Sequence, residues 1–175
     1  MIIKNFVELN NDNCMNLYSK KTSKLSKIEI NEICKLKNSH WKYGIISQKN
    51  FFFKNVGLND IHNLVIMEKK IIGYTLLRQW KISFSKSQKR YLHFDTLIIN
   101  KNLRGKKISK KLMELNNNII RKKKSFSILL CEKSMIKFYK KFRWKILQKK
   151  YVIGKKSKKT YMIYNKKINE KFSFK

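Results

Sequence analysis

The chain has 175 residues, 42% of them hydrophobic, which suits one globular domain with a real core; no stretch approaches the ~18 apolar residues that span a bilayer. Its formal net charge of +33 comes from 38 Lys and five Arg against ten acids, a field that attracts anions whatever its origin. Yet Lys is scattered throughout, Ala and Pro are absent, and Lys, Asn, Ile and Phe, all with A/T-rich codons, supply 90 residues; this points to compositional drift, since nucleic-acid readers lean on Arg.

From the N-terminus, residues 2 to 8 read as a first strand. Ser26-Lys-Ile-Glu29 has the spacing of a capping box and predicts a helix near 27 to 38, with Ile30, Ile33, Cys34 and Lys37 on one side. The segment from His40 to Asn55 is aromatic and irregular, with Trp41, Tyr43 and Phe51-Phe52-Phe53, and reads as core packing or a covering loop. Asn63-Leu-Val-Ile-Met67 and Ile71-Ile-Gly-Tyr-Thr-Leu-Leu77, joined by a charged turn, form a predicted hairpin. Arg90-Tyr-Leu-His-Phe-Asp-Thr-Leu-Ile-Ile99 is a further strand, reached through the polar loop Ser83 to Lys89. Three consecutive antiparallel strands then lead into a helix. In that helix Ile108, Leu112, Leu115 and Ile119 fall at i, i+4, i+7 and i+11, one apolar stripe, with Lys and Asn on the outer face. Ser125-Phe-Ser-Ile-Leu-Leu-Cys131 reads as a short buried strand. Met135, Phe138, Tyr139 and Phe142 mark a second amphipathic helix capped near Ser134, and residues 144 to 153 and 160 to 165 give two closing strands. No repeat or linker divides the chain, so one domain over 1–175 is expected.

Cys14, Cys34 and Cys131 have no close pair spacing, and their odd number argues against a disulfide framework. The N-terminus, Met1 to Phe6, lacks the long apolar core of a signal peptide, so a cytoplasmic location is expected. His40, His62 and His93 are isolated, and no Cys/His pair has ligand spacing, so no metal site is expected.

The chemistry begins after Ile99. A strand delivered by a tight turn into a helix presents unsatisfied backbone amides and the positive end of the helix dipole to one spot, where a phosphate fits. The loop lacks the Gly-Lys-Ser/Thr ending of a nucleotide-triphosphate motif, and with Gly105 alone it is not the glycine-rich dinucleotide fingerprint. Leu103-Arg-Gly-Lys-Lys-Ile-Ser-Lys-Lys-Leu112 instead resembles the cofactor motif of the GNAT superfamily of acyl-CoA N-acyltransferases, written Arg/Gln-x-x-Gly-x-Gly/Ala. Arg104 takes the first position, Lys107 stands for the first glycine, and Ser109 for the final small residue.

The chain runs in family order from about residue 60 to 165. The resemblance implies an α/β fold with a central mixed, largely antiparallel sheet of six to seven strands, helices on both faces, and a splay between strands four and five. It implies acetyl-CoA as co-substrate and no metal. The backbone of Leu97, Ile98 and Ile99 would pair with the pantetheine arm. Amides of Leu103, Arg104, Gly105, Lys106, Lys107, Ile108 and Ser109 would hold the pyrophosphate, with Lys110 and Lys111 nearby. Glycine in the family motif lets the backbone approach the phosphates closely, so Lys107 either adds a charge there or marks cofactor binding that has decayed.

Acetyl transfer to an amine needs a group that accepts a proton from the ammonium, directly or through water. Asp95 lies mid-strand, where many family members carry a catalytic Glu; it is either that base or an acid bonded to nearby backbone or Lys. His93 is the runner-up. Tyr139 in Phe138-Tyr-Lys-Lys-Phe-Arg-Trp144 matches the Phe-Tyr-x-x-x-Gly-Phe pattern in which the family places its Tyr acid, with Arg143 in place of the glycine. Cys131 and Glu132 end the fifth strand, within reach of substrate, but direct transfer needs no Cys nucleophile. The combination is loosely similar to amino-sugar or aminoglycoside acetyltransferases, so a small-molecule primary amine is the expected partner. Its pocket would be built by residues 14 to 60, where His40 to Asn55 would supply a wall. No membrane partner is expected, nucleic acid is disfavoured despite the charge, and a homodimer is left open. The alternatives are a basic nucleic-acid-binding module and a degenerate, non-catalytic CoA-binding protein of the same family.

Overall fold

A computed structural model describes residues 3–7, 15–154 and 157–174. They fall into two compact units, Met1–Arg78 with Thr96–Leu115, and Gln79–Asp95 with Asn116–Lys175. Strands β4 (Lys70–Phe84) and β5 (Gln88–Ile99) and helix α3 (Ile108–Lys122) each contribute residues to both.

In the first unit β1 (Ile3–Val7), β2 (Met15–Lys21), β3 (Ile61–Met67) and the start of β4 pair antiparallel in that order. The Asn100 amide, just past β5, donates to the Ile72 carbonyl at 2.8 Å. Helix α1 (Lys27–His40) opens with the expected capping box: the Glu29 amide donates to Ser26 Oγ at 3.1 Å, and the Ser26 amide to Glu29 Oε2 at 2.9 Å. Its Ile33 and Leu36 pack with Leu64, Tyr74, Leu76 and Ile98. Beside Tyr74, Gly73 faces the other way. A Cβ there would lie 3.1 Å from both Ile108 and Leu112, so α3 docks on this strand with room only for a hydrogen. Helices therefore cover both faces of this part of the sheet.

Two elements here differ from the sequence reading. His40 to Asn55 is not an irregular loop: after Gly44, at φ +86°, it forms helix α2 (Ile45–Asn55), which buries Gln48 and Phe52. The run of three Phe hid the helical period by placing apolar groups all round the axis. Strand β2 was not foreseen, although Met15, Leu17 and Ser19 are buried in strict alternation. Residues 2 and 8 of the first expected strand lie outside the described residues.

In the second unit β6 (Ser127–Cys131) runs parallel to β5 for two residue pairs, Leu92 with Ser127 and His93 with Ile128. Beyond them β6 pairs only with β8 (Thr160–Tyr164), antiparallel, which is the expected splay. Strand β7 (Lys145–Ile146) flanks β8, and β9 (Phe172–Phe174) pairs with the end of β4. Among the described residues the expected sheet core is thus extended by short edge strands. Ile82, Tyr91, Phe126, Ile128, Tyr161, Ile163 and Phe172 form this unit's core.

All four stripe residues of α3 are buried, but so are Asn116 and Asn117, which corrects the placing of Asn on its outer face. The helix expected after Ser134 is short. A 3-10 turn at Lys133–Met135 leads into the five-residue α4 (Ile136–Lys140), with no side-chain cap, and of its expected apolar face only Tyr139 is buried. The strand expected over 144 to 153 reduces to β7, followed by a 3-10 turn at Lys149–Tyr151. Among the described residues the sheet is mixed and largely antiparallel, with β5 and β6 parallel.

Candidate active site

The cofactor candidates Leu97 to Ser109 form one strand-turn-helix of the first unit. Ile98 and Ile108 point into the core, so only their backbone groups are available to a ligand. Past β5 a 3-10 turn, Lys101–Leu103, is held by the Asn100 carbonyl, which accepts from the Leu103 amide at 3.0 Å, and by Asn100 Oδ1, which accepts from the Asn102 amide at 3.1 Å. Gly105 then takes φ +85° and Lys107 φ +56°. The Lys107 carbonyl accepts the first helical bond, from the Lys111 amide at 3.2 Å. By helix geometry the amides of Ile108, Ser109 and Lys110 have no intrahelical carbonyl, and the positive end of the dipole lies with them.

A Cβ added to Gly105 would meet nothing within 4 Å, so that side of the loop is open. Arg104, Gly105, Lys106 and Lys107 are exposed, and Leu103 and Ser109 are half-buried. Arg104 Nη2 approaches His40 Nδ1 at 3.5 Å. Lys107 therefore keeps the left-handed backbone that glycine adopts freely, at a cost of about 1 kcal/mol for an L side chain.

In the second unit Asp95 is exposed on β5, directly after buried Phe94. The Phe94 ring meets Tyr139 edge-on at 6.2 Å, whereas Asp95, the next residue of the strand, projects from the opposite face of β5. Tyr139 is 7% exposed, and burial first, then the Cys131 thiol, pushes its hydroxyl well above the usual tyrosine range. The phenol is therefore protonated at any physiological pH.

Tyr139 sits in a helix end built with unusual care. The Trp144 amide donates to the Tyr139 carbonyl at 3.3 Å and the Arg143 amide to that of Lys140 at 3.0 Å, a Schellman turn with Arg143 at φ +65°. Buried Asn117 clamps this turn from α3: its Nδ2 donates to the Phe142 carbonyl at 2.9 Å, and its Oδ1 accepts from Trp144 Nε1 at 3.1 Å. Sequence reasoning missed Asn117, because at about 100° per residue it lies opposite the apolar stripe and so reads as an outer-face residue.

Burial, then Glu132, pushes the Cys131 thiol up, away from the thiolate a nucleophile needs. Glu132 is exposed and pairs with Lys159 at 3.3 Å. His93 is buried, its ring stacked on Trp80 at 4.2 Å and nearly parallel to it. Among the described residues no group of His, Cys, Asp and Glu has the arrangement of a metal site.

The strand order and the splay after His93 agree with the fold of solved GNAT structures. No protein-family model matches the chain, and no curated protein matches it. Solved structures do. A GNAT family N-acetyltransferase (YhbS) from Escherichia coli, in complex with CoA, is similar over 97% of this chain and 94% of its own, with TM-score 0.69 and 8% identity. An aminoglycoside 6'-N-acetyltransferase complexed with coenzyme A is similar over 83% of this chain and 95% of its own, with TM-score 0.64 and 10% identity. The PaiA N-acetyltransferase of Thermoplasma acidophilum, also with coenzyme A, covers 84% of this chain and 97% of its own at TM-score 0.56 and 16% identity. At such identities the likeness establishes the fold.

Proposed function

We propose that the protein is an acyl-CoA-dependent N-acetyltransferase that acetylates a primary amine of a small molecule of the amino-sugar type. The observation that carries this reading is the turn into α3, where Gly105 and Lys107 both hold the left-handed backbone that exposes successive amides. Coenzyme A in three solved structures of this fold supports the choice of ligand. Acetyl-CoA supplies an activated acyl thioester. Amides of Gly105 to Ser109 hold its pyrophosphate at the α3 N-terminus, those of Leu103 and Arg104 being engaged by the Asn100 and Lys101 carbonyls, and the Leu97 to Ile99 backbone pairs with its pantetheine arm.

Asp95, exposed on β5, accepts the ammonium proton directly or through one water, leaving a neutral amine to attack. Tyr139 donates a hydrogen bond to the departing thiolate. Full proton transfer is uphill by about 2 kcal/mol in water, since a thiol titrates near ~8.5 and a phenol near ~10, and burial raises both. The Tyr role is thus electrostatic, with the proton held on oxygen. A cytoplasmic setting accords with free, buried Cys34 and Cys131.

The test is a panel of amine acceptors with acetyl-CoA and thiol release as readout. Amino sugars and aminoglycosides are expected to turn over ahead of peptide N-termini. Acetyl-CoA binding with no turnover on any amine would favour the non-catalytic alternative.

A further inference from the structure

Compositional drift that enriches Lys, Ile and Phe would scatter them over a surface without regard to place. The exposed apolar side chains do not follow that pattern. Of nine large hydrophobic residues exposed among the described residues, six lie between Ile28 and Leu58. Five of these, Ile28, Tyr43, Ile46, Phe53 and Leu58, are 69% to 77% exposed. Ile46 and Phe53 are seven residues apart on α2 and share one flank, roughly 100–120° round the axis from buried Phe52. Tyr43 stands just before that helix. The Leu58 carbonyl accepts from the Ser23 amide at 3.1 Å, which ties Leu58 to the 3-10 turn Thr22–Lys24 that precedes α1.

The exposed charged residues among them are all basic. Lys24, Lys27, Lys42 and Lys54 are exposed, and α2 contains no acid. Both acids of α1 are engaged by lysines, Glu29 with Lys20 at 2.5 Å and Glu32 with Lys35 at 2.9 Å. We propose that this α1–α2 face rests on an anionic lipid surface, with the five apolar side chains in the headgroup boundary and the lysines at the acidic headgroups. Apolar insertion plus basic flanks is the recipe of an interfacial helix. A second copy of the chain fits less well, because it would bring Lys against Lys between two bodies of charge +33. The expectation of no membrane partner rested on the lack of a spanning stretch, and lying on a surface requires none.

Charge alone adsorbs such a protein to acidic vesicles, so the decisive variant must leave the charge unchanged. Flotation of the full chain with phosphatidylcholine vesicles, with and without phosphatidylglycerol, at about 0.15 M salt, is compared with Ile46→Ser combined with Phe53→Ser. Binding is expected only with phosphatidylglycerol, accompanied by a blue shift of tryptophan emission. The double variant is expected to partition at least ~10-fold more weakly, since two large apolar side chains no longer leave water. Should that variant fail to fold by circular dichroism, Tyr43→Ser with Leu58→Ser makes the same comparison. Equal partition of wild type and variant would mean adsorption by charge alone and overturn the proposal. So would a dimer, lost in the variant, without vesicle binding. Loss of amine turnover in the variant at unchanged partition would assign the face to the acceptor pocket and also overturn it.

Discussion

Lys107, at the start of α3, and Arg143, at the end of α4, stand where the motifs they resemble carry glycine, and both keep glycine's left-handed backbone, at φ 56° and 65°. Their surroundings differ. Arg143 is fixed from several sides: by its own amide on Lys140, by the Trp144 amide on Tyr139, and by Asn117 on the Phe142 carbonyl and the Trp144 ring. Both side chains are exposed, but what holds Lys107 only follows it in sequence, Ile108 and Leu112 docked on Gly73. A strained conformation persists only where its surroundings over-determine it. Both departures thus alter a side chain and spare the backbone path. At Arg143 the clamp serves the position of Tyr139, while at Lys107 the path serves the row of amides.

That contrast can be broken most strongly at the chemistry. Asp95→Asn is expected to lower kcat by about 10²-fold or more, and Tyr139→Phe by about 10-fold. Acetyl-CoA affinity by calorimetry should stay within about twofold; equal loss of turnover and affinity would assign both residues to structure. Next comes the clamp. Asn117→Leu leaves the Trp144 Nε1–H and the Phe142 carbonyl without their partner, and is expected to reduce unfolding free energy in urea by about 2–4 kcal/mol.

The first unit has its own buried polar chain, which responds to pH. His62 lies between Thr22 Oγ1, at 2.8 Å, and the Tyr74 hydroxyl, at 2.9 Å, and burial holds its pKa down at about 3. Below pH 6.5 the unfolded chain takes up a proton that the folded one refuses. Stability present above that pH should therefore fall toward pH 3, at up to ~1.4 kcal/mol per pH unit. His62→Gln should flatten this slope in acid-unfolding curves. Smallest are the glycine reversions. Lys107→Gly and Arg143→Gly should each stabilise by up to about 1 kcal/mol, whereas Ala at either position should not, because the strain comes from Cβ. Thermal unfolding of the four variants measures this directly.

Much of this was legible in the sequence because the signals were local. The capping box at Ser26, the α3 stripe and the hairpin at Glu68 each depend on neighbours along the chain, and each appears where expected. What was hidden depended on contacts between distant segments. Nothing near Asn117 announces that its amide will meet Phe142 and Trp144. The Phe51 to Phe53 run obscured α2, and α4 proved shorter than its aromatic spacing suggested because the chain leaves it through the left-handed turn at Arg143. The sequence also could not tell that Lys107 and Arg143 would keep a glycine backbone, since that is a property of what packs around them.

Calorimetric titration of the wild-type chain with acetyl-CoA at about 0.15 M salt tests the central claim, that the turn into α3 remains a working acyl-CoA site despite Lys107. Saturable one-to-one binding, retained in Lys107→Gly, is expected. No binding at that salt would contradict the account.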